Sequence, residues 1–94
     1  MAKWLVERRL GSVSTRLRSV REELRIIDEQ LAQLSDEADD TRIRALVSES
    51  PLAGRDHHDA QRHADAMAAH RAELVRSITE LERRQDELLD QMNA

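Results

Sequence analysis

Apolar residues recur at alternating intervals of three and four along two long stretches of the chain. The first stretch runs from Leu10 to Ala38 and the second from Ala60 to Met92, with two polar interruptions in the second. This spacing is that of the a and d positions of a coiled coil, which form the contact seam between paired helices. The predicted seam positions are Leu10, Val13, Leu17, Val20, Leu24, Ile27, Leu31, Leu34 and Ala38, followed by Ala60, Ala64, Met67, Arg71, Leu74, Ile78, Leu81, Gln85, Leu88 and Met92.

A turn signal lies between the two stretches, at residues 50–54. Pro51 pushes the residue before it out of the helical region, and Gly54 offers a permissive backbone. An antiparallel arrangement about a centre between residues 52 and 53 aligns the two seams. The predicted pairs are Val13 with Met92, Leu17 with Leu88, Leu24 with Leu81, Ile27 with Ile78, Leu31 with Leu74 and Ala38 with Met67.

Charged residues beside the seams support an antiparallel arrangement. Opposite charges fall at positions that face each other across such a pair of helices, and each exposed ion pair contributes at most about 1 kcal/mol. We therefore expect these pairs to select the alignment more than to stabilise it. The predicted pairs are Arg21 with Glu82, Glu23 with Arg84, and Glu37 with His70.

The pattern predicts an all-α fold, an antiparallel two-helix coiled-coil hairpin. We expect an N-terminal overhang at 1–9, helix 1 at 10–48, a turn at 49–55 and helix 2 at 56–92. Apolar residues outside the seam, such as Val75 and Leu89, widen the apolar stripe beyond what two helices cover. A homodimer that completes a four-helix bundle would cover them.

The seam loses its phase after Ala38, where Ile43, Leu46 and Val47 lie slightly off the continued pattern. We favour one continuous helix to about residue 48 with a stutter, an insertion that shifts the coiled-coil repeat. The alternative is a break at Asp39 and Asp40, followed by a short separate helix.

Composition narrows the class of protein. The chain has 94 residues, a net charge of −4, one aromatic residue and no cysteine, and 36% of its residues are charged. These values are typical of one helical domain and exclude a disulfide framework. With no long apolar run we expect a cytoplasmic protein without membrane contact. Arginine supplies 14 of the 15 basic residues, which is typical of a GC-rich bacterial genome.

The predicted overhang is the first candidate binding surface. It places the single tryptophan among apolar and basic residues, and residues 1–25 hold seven basic against three acidic residues, a net charge of +4. Trp4 either folds back over the open end near Leu89 and Met92 or binds a partner, since Trp and Arg are enriched at binding hot spots. The predicted partner-binding residues here are Trp4, Leu5, Arg8 and Arg9.

The turn is the second candidate surface, with partner-binding residues Leu46, Val47, Leu52 and Arg55. A nucleic-acid surface is the alternative from a different class. The chain would then be a small regulator that uses the arginine face of helix 1 to contact RNA polymerase, or the ribosome and the phosphates of its RNA. Its residues are Arg16, Arg18, Arg21 and Arg25.

Histidines and acids cluster beside the turn. His57, His58, His63 and His70 include spacings that can bind zinc on a helix, but no HExxH motif is present and the flanking positions indicate surface residues. The acids at 36–40 lack the spacing of a calcium loop. Two helices offer no pocket for a catalytic triad. We therefore predict no catalytic, cofactor or metal residues, and a non-enzymatic protein–protein interaction module, an adaptor or a small subunit of a larger cytoplasmic assembly.

Overall fold

The computed structural model describes residues 2–94 as two long α-helices. Helix α1 spans Lys3–Ser48 and helix α2 spans Pro51–Asn93, and the described residues contain no strand. The predicted all-α class with two long helices is therefore confirmed. Met1, which belongs to the predicted overhang, lies outside the described residues.

The chain divides into two compact units, each built from segments of both helices. The first unit combines the chain up to Leu24 with Glu73–Ala94, and the second is Arg25–Ala72, which contains the connection between the helices. In the first unit, Ser14 contacts Gln85 and Arg21 contacts Glu82, so its two segments run antiparallel. The second unit is a hairpin with antiparallel arms.

The predicted seam is confirmed on both helices, because every one of its positions is buried or half-buried. In the first unit, Leu17 and Val20 are the most completely buried large side chains. In the second unit, small side chains occupy the part of the seam nearer the connection, where Ala38, Ala60 and Ala64 are buried. Small seam residues let two helix backbones approach closely.

The alignment of the two helices differs from the predicted pairing by about one heptad. Three hydrogen-bonded pairs that cross between the helices are centred on residues 49 and 50, whereas the predicted pairs are centred between 52 and 53. A seven-residue shift places every a and d residue on another a or d residue, so the seam alone does not choose between the two alignments. The three pairs are Ser14 with Gln85, Asp28 with Arg71, and Thr41 with His57.

Polar seam residues provide the physical reason for the observed alignment. The Gln85 amide donates to the Ser14 hydroxyl at 3.2 Å, and the Arg71 guanidinium donates to the Asp28 carboxylate at 2.5 Å. In the predicted alignment, Gln85 would face Val20 and Arg71 would face an aliphatic side chain as well. The Arg71 and Asp28 side chains are 42% and 48% exposed, so their pairing favours the observed alignment by at most about 1 kcal/mol.

The predicted overhang at 1–9 is wrong for the described part of that range. Helix α1 begins at Lys3, seven residues before the predicted start, and Val6 is only 2% exposed. Val6 forms an apolar cluster with Val13 and Leu88, and Leu10, Leu81 and Met92 pack against it. In the observed alignment, Val6 and its neighbours pack against α2. In the predicted alignment, which differs by one heptad, they would have had no partner helix.

The connection consists of Glu49 and Ser50 rather than the predicted turn at 49–55. Glu49 has a φ of 53°, the left-handed conformation that commonly follows the last residue of a helix. The Ser50 hydroxyl accepts a hydrogen bond from the backbone N–H of Ala53 at 3.1 Å, so Ser50, and not Asp56, is the N-cap of α2. Pro51 is the first helical residue, where its missing N–H is tolerated.

Helix α1 continues through Asp39 and Asp40, as favoured, but without the predicted stutter. Thr41 is buried at 7% exposure and Ala45 is half-buried, so the seam keeps its phase to the end of the helix. The Thr41 hydroxyl bonds the Ala38 carbonyl at 2.9 Å and contacts the His57 ring at 3.4 Å. The larger aliphatic residues nearby therefore point away from α2.

Among residues 2–94, neither helix contains a stretch that is both long and apolar enough to cross a membrane.

Candidate protein-binding surfaces

A groove in the first unit brings together all four residues of the first predicted surface. Trp4 is 64% exposed at its edge and Leu5 is half-buried within it. We call this the Trp4 groove; its volume is about 430 Å³. Helix α2 supplies part of its wall. The lining residues are Trp4, Leu5, Arg8, Arg9, Ser12, Val13, Arg16, Leu81 and Arg84.

The Trp4 groove combines apolar and basic side chains. Its apolar members come from both helices, and four of its nine lining residues are arginines. Arginine guanidinium groups stay charged at all relevant pH values and bind carboxylates in a planar, two-point geometry. The groove therefore suits an apolar side chain flanked by carboxylates.

The positions of Trp4 and Met92 decide between the two predictions made for the tryptophan. Met92 is half-buried in the apolar cluster beneath Val6, and Leu89 is 42% exposed. Neither lines the groove beside Trp4. Trp4 is 64% exposed, so most of its indole faces solvent, which favours the prediction of a binding residue over the fold-back.

A second apolar surface lies beside the connection, in the second unit. Ile43 is 53% exposed, Leu46 68% and Val47 81%, and these three residues share the side of α1 that points away from α2. Leu52, in the first turn of α2, is 62% exposed, and Arg55 is exposed as well. The structure thus leaves the apolar residues of the second predicted surface uncovered.

Acidic residues continue this surface along α1. Asp36, Asp40, Ile43 and Val47 follow one another at intervals of four, three and four, which places them on one helix face. All four are exposed. We call these four residues, with Leu46, the tip face. Its apolar half lies next to the connection and its acidic half lies farther along the helix.

Two of the four arginines of the nucleic-acid alternative are engaged in ion pairs. Arg21 contacts Glu82 at 3.5 Å, a pair that the sequence predicted, and Arg25 contacts Glu29 at 2.7 Å. Arg16 lines the Trp4 groove, and Arg18 is exposed. Because Arg16 and Arg18 are two residues apart on one helix, they point to different sides of it.

The histidines are distributed over different environments. His57 is half-buried against Thr41, and His63 lines a polar depression of about 400 Å³ together with Glu37, Asp56 and Asp59. In residues 2–94, no three His, Asp or Glu side chains are grouped so that they could hold a metal ion.

The carboxyl group of Glu80 has a lowered pKa, and it lies outside both surfaces, on the exposed side of α2. The hydrogen bond from Arg83, reinforced by its positive charge, holds the pKa of the Glu80 carboxyl below its ordinary value. Arg83 also contacts Glu87 one turn later. Such i, i+3 and i, i+4 pairs support the helix locally, so this cluster is structural.

The sequence missed several members of the two surfaces. Leu81 and Arg84 enter the Trp4 groove from α2, and Ile43 completes the tip face. Leu81 and Arg84 reach the groove only through the alignment of α2 against α1, which the spacing of apolar residues does not fix. Ile43 was not assigned to this surface, because the sequence analysis placed it in a shifted seam.

Comparison with protein-family models, with curated proteins and with solved structures gave no match.

Proposed function

We propose that this chain is a non-enzymatic protein–protein interaction module, a helical-hairpin adaptor or small subunit of a larger cytoplasmic assembly. The observation that carries the proposal is the Trp4 groove. A large exposed aromatic side chain at the edge of an apolar groove is costly in water and typical of a binding hot spot. The partner it fits is a protein helix with an apolar stripe and acidic flanks, because four arginines line the groove.

The nucleic-acid alternative has less support. Arg21 and Arg25 already have carboxylate partners, and the chain carries a net charge of −4. An acidic chain gains little from phosphate contacts unless its basic residues are concentrated on one surface. The arginines that are concentrated, those of the Trp4 groove, are accompanied by apolar side chains.

We also propose that two copies associate, which would bring four helices together. Exposed aliphatic residues outside the seam support this, among them Val75 at 38% exposure and Leu89 at 42%. A pair of helices buries little apolar area relative to the conformational entropy lost on folding. Covering part of the remaining apolar surface in a dimer would add to the stability.

The test uses tagged protein for affinity purification from the native host, with Trp4→Ala as the variant. Leu52→Ala is the matched control, because Leu52 is equally exposed but lies on the other surface. A protein that depends on Trp4 is then purified and titrated against the chain. Trp4 is the only tryptophan of the chain, so subtracting the emission of the same titration with Trp4→Ala isolates the signal from the groove.

We expect the Trp4 emission to shift to shorter wavelength on binding. Truncation of a buried tryptophan hot spot costs about 2 kcal/mol or more, so Trp4→Ala should weaken binding about 30-fold. If no captured protein depends on Trp4 and the emission never shifts, with added partner or with the chain itself, the proposal fails.

A further inference from the structure

The two uncovered surfaces of this chain are complementary in chemistry. The Trp4 groove presents apolar and basic side chains, and the tip face presents apolar and acidic ones. We propose that the groove of one copy binds the tip face of a second copy. This inference rests on the interaction module proposed above and names its partner.

The Trp4 groove and the tip face are complementary in charge, and the order of their apolar and charged side chains is also similar. From the N-terminal end, the groove begins with Trp4 and Leu5 and continues with Arg8 and Arg16. From the connection backwards, the tip face begins with Val47, Leu46 and Ile43 and continues with Asp40 and Asp36. When the two helices lie antiparallel with Trp4 opposite Val47, Leu5 meets Leu46 and Arg16 meets Asp36. Arg8 lies opposite Ile43, about 4.5 Å along the helix axis from Asp40, which is within reach of its long side chain.

The lengths of the two surfaces agree. At 1.5 Å per residue, Trp4 to Arg16 spans about 18 Å of helix, and Val47 to Asp36 spans about 17 Å. Both arginines and both aspartates are exposed, so they can reach a neighbouring molecule. One surface can therefore lie along the other over its whole length.

The apolar contacts supply affinity, and the charges supply orientation. A parallel arrangement over the same length would place Trp4 against Asp36 and Arg16 against Val47, although Arg8 would then lie opposite Asp40. Mismatched charged and apolar groups lose water without gaining a partner, which disfavours that arrangement. Each copy carries one groove and one tip face, so every copy can both bind and be bound.

The experiment reverses the charges on each surface separately. The groove variant is Arg8→Glu with Arg16→Glu, and the tip variant is Asp36→Arg with Asp40→Arg. All four residues are exposed, and circular dichroism checks that both variants keep the helical fold. Mass is measured by sedimentation equilibrium over a concentration series for the wild type, for each variant, and for an equimolar mixture of the two.

We expect the wild type to associate and each variant alone to associate at least about tenfold more weakly, because like charges then face each other. The mixture should recover wild-type association. In it, the glutamates of one groove meet the arginines of the other variant's tip face, and the unaltered groove meets the unaltered tip face. Salt should weaken the wild-type association, since the charges are exposed.

Three results would overturn the inference. The first is a wild type that stays monomeric at every concentration, and the second is association that neither variant weakens, as contact through Val75 and Leu89 would give. The third is a mixture that stays monomeric although the wild type associates. All three results are compatible with a different partner protein whose binding shifts the Trp4 fluorescence. The inference can therefore fail while the proposed function stands.

Discussion

Replacing Gly11 by alanine tests whether helix α1 begins as early as Lys3. Gly11 lies eight residues inside the helix, and apart from the backbone of its own helical turns a Cβ atom here would meet no heavy atom within 4 Å. The substitution therefore adds a methyl group at no steric cost. Glycine in a helix interior is less favourable than alanine by about 0.5–1 kcal/mol, partly because it has more freedom in the unfolded chain.

The expected gain is therefore about 0.5–1 kcal/mol in the free energy of unfolding. For a chain of this size, 1 kcal/mol moves the melting temperature by about 4–8 °C, so the variant should melt about 2–8 °C higher. Urea titration and thermal melting, both followed by circular dichroism at 222 nm, measure the change.

Gly54→Ala is the matched control, because Gly54 lies in α2 and an added Cβ there also meets nothing within 4 Å apart from the backbone of its own helical turns. Distant substitutions contribute independently, so the double variant should gain the sum of the two within about 0.5 kcal/mol. If Gly11→Ala has no effect while Gly54→Ala stabilises, residues 3–11 are not helical in solution. The groove beside Trp4 would then lose its structural basis.

Leu17→Ala should destabilise the chain by about 2–5 kcal/mol in urea titrations, because it opens a cavity in the buried seam, whereas Leu46→Ala, at an exposed site, should change stability by less than about 0.5 kcal/mol. Ser50→Ala removes the N-cap of α2 and should cost about 1 kcal/mol in the same assay, and Ser50→Asp should restore most of it. The Glu80 carboxyl has a lowered pKa when folded, so its pairing with Arg83 stabilises the helix above the unfolded pKa and is lost as pH falls through the folded one. NMR titration of the Glu80 side chain should show its pKa rise towards the ordinary value in Arg83→Gln; an unchanged pKa would contradict this assignment.

The spacing of apolar residues was enough to predict the two helices and the side of each that is buried. It could not determine their alignment, because a shift of seven residues leaves every seam residue in the seam. The deciding information lay in polar contacts such as that of Gln85 with Ser14. Side-chain hydrogen bonds across a seam depend on three-dimensional geometry, which periodicity does not contain.

The four residues of the first candidate surface lie together, but not on the structural element that was predicted for them. Trp4, Leu5, Arg8 and Arg9 were expected on an unpaired overhang, and they instead line a groove on a paired helix. Their clustering followed from their closeness in sequence. The contribution of Arg84 could not be foreseen, because it depends on which residue of α2 lies beside them.

The short connection has a practical consequence for work with this chain. Proteases cut extended segments that fit their active-site clefts, and Glu49 and Ser50 offer them only two non-helical residues between the helices. Limited digestion should therefore spare the middle of the chain. A fluorescent label or epitope inserted there would have to unwind helical turns on both sides.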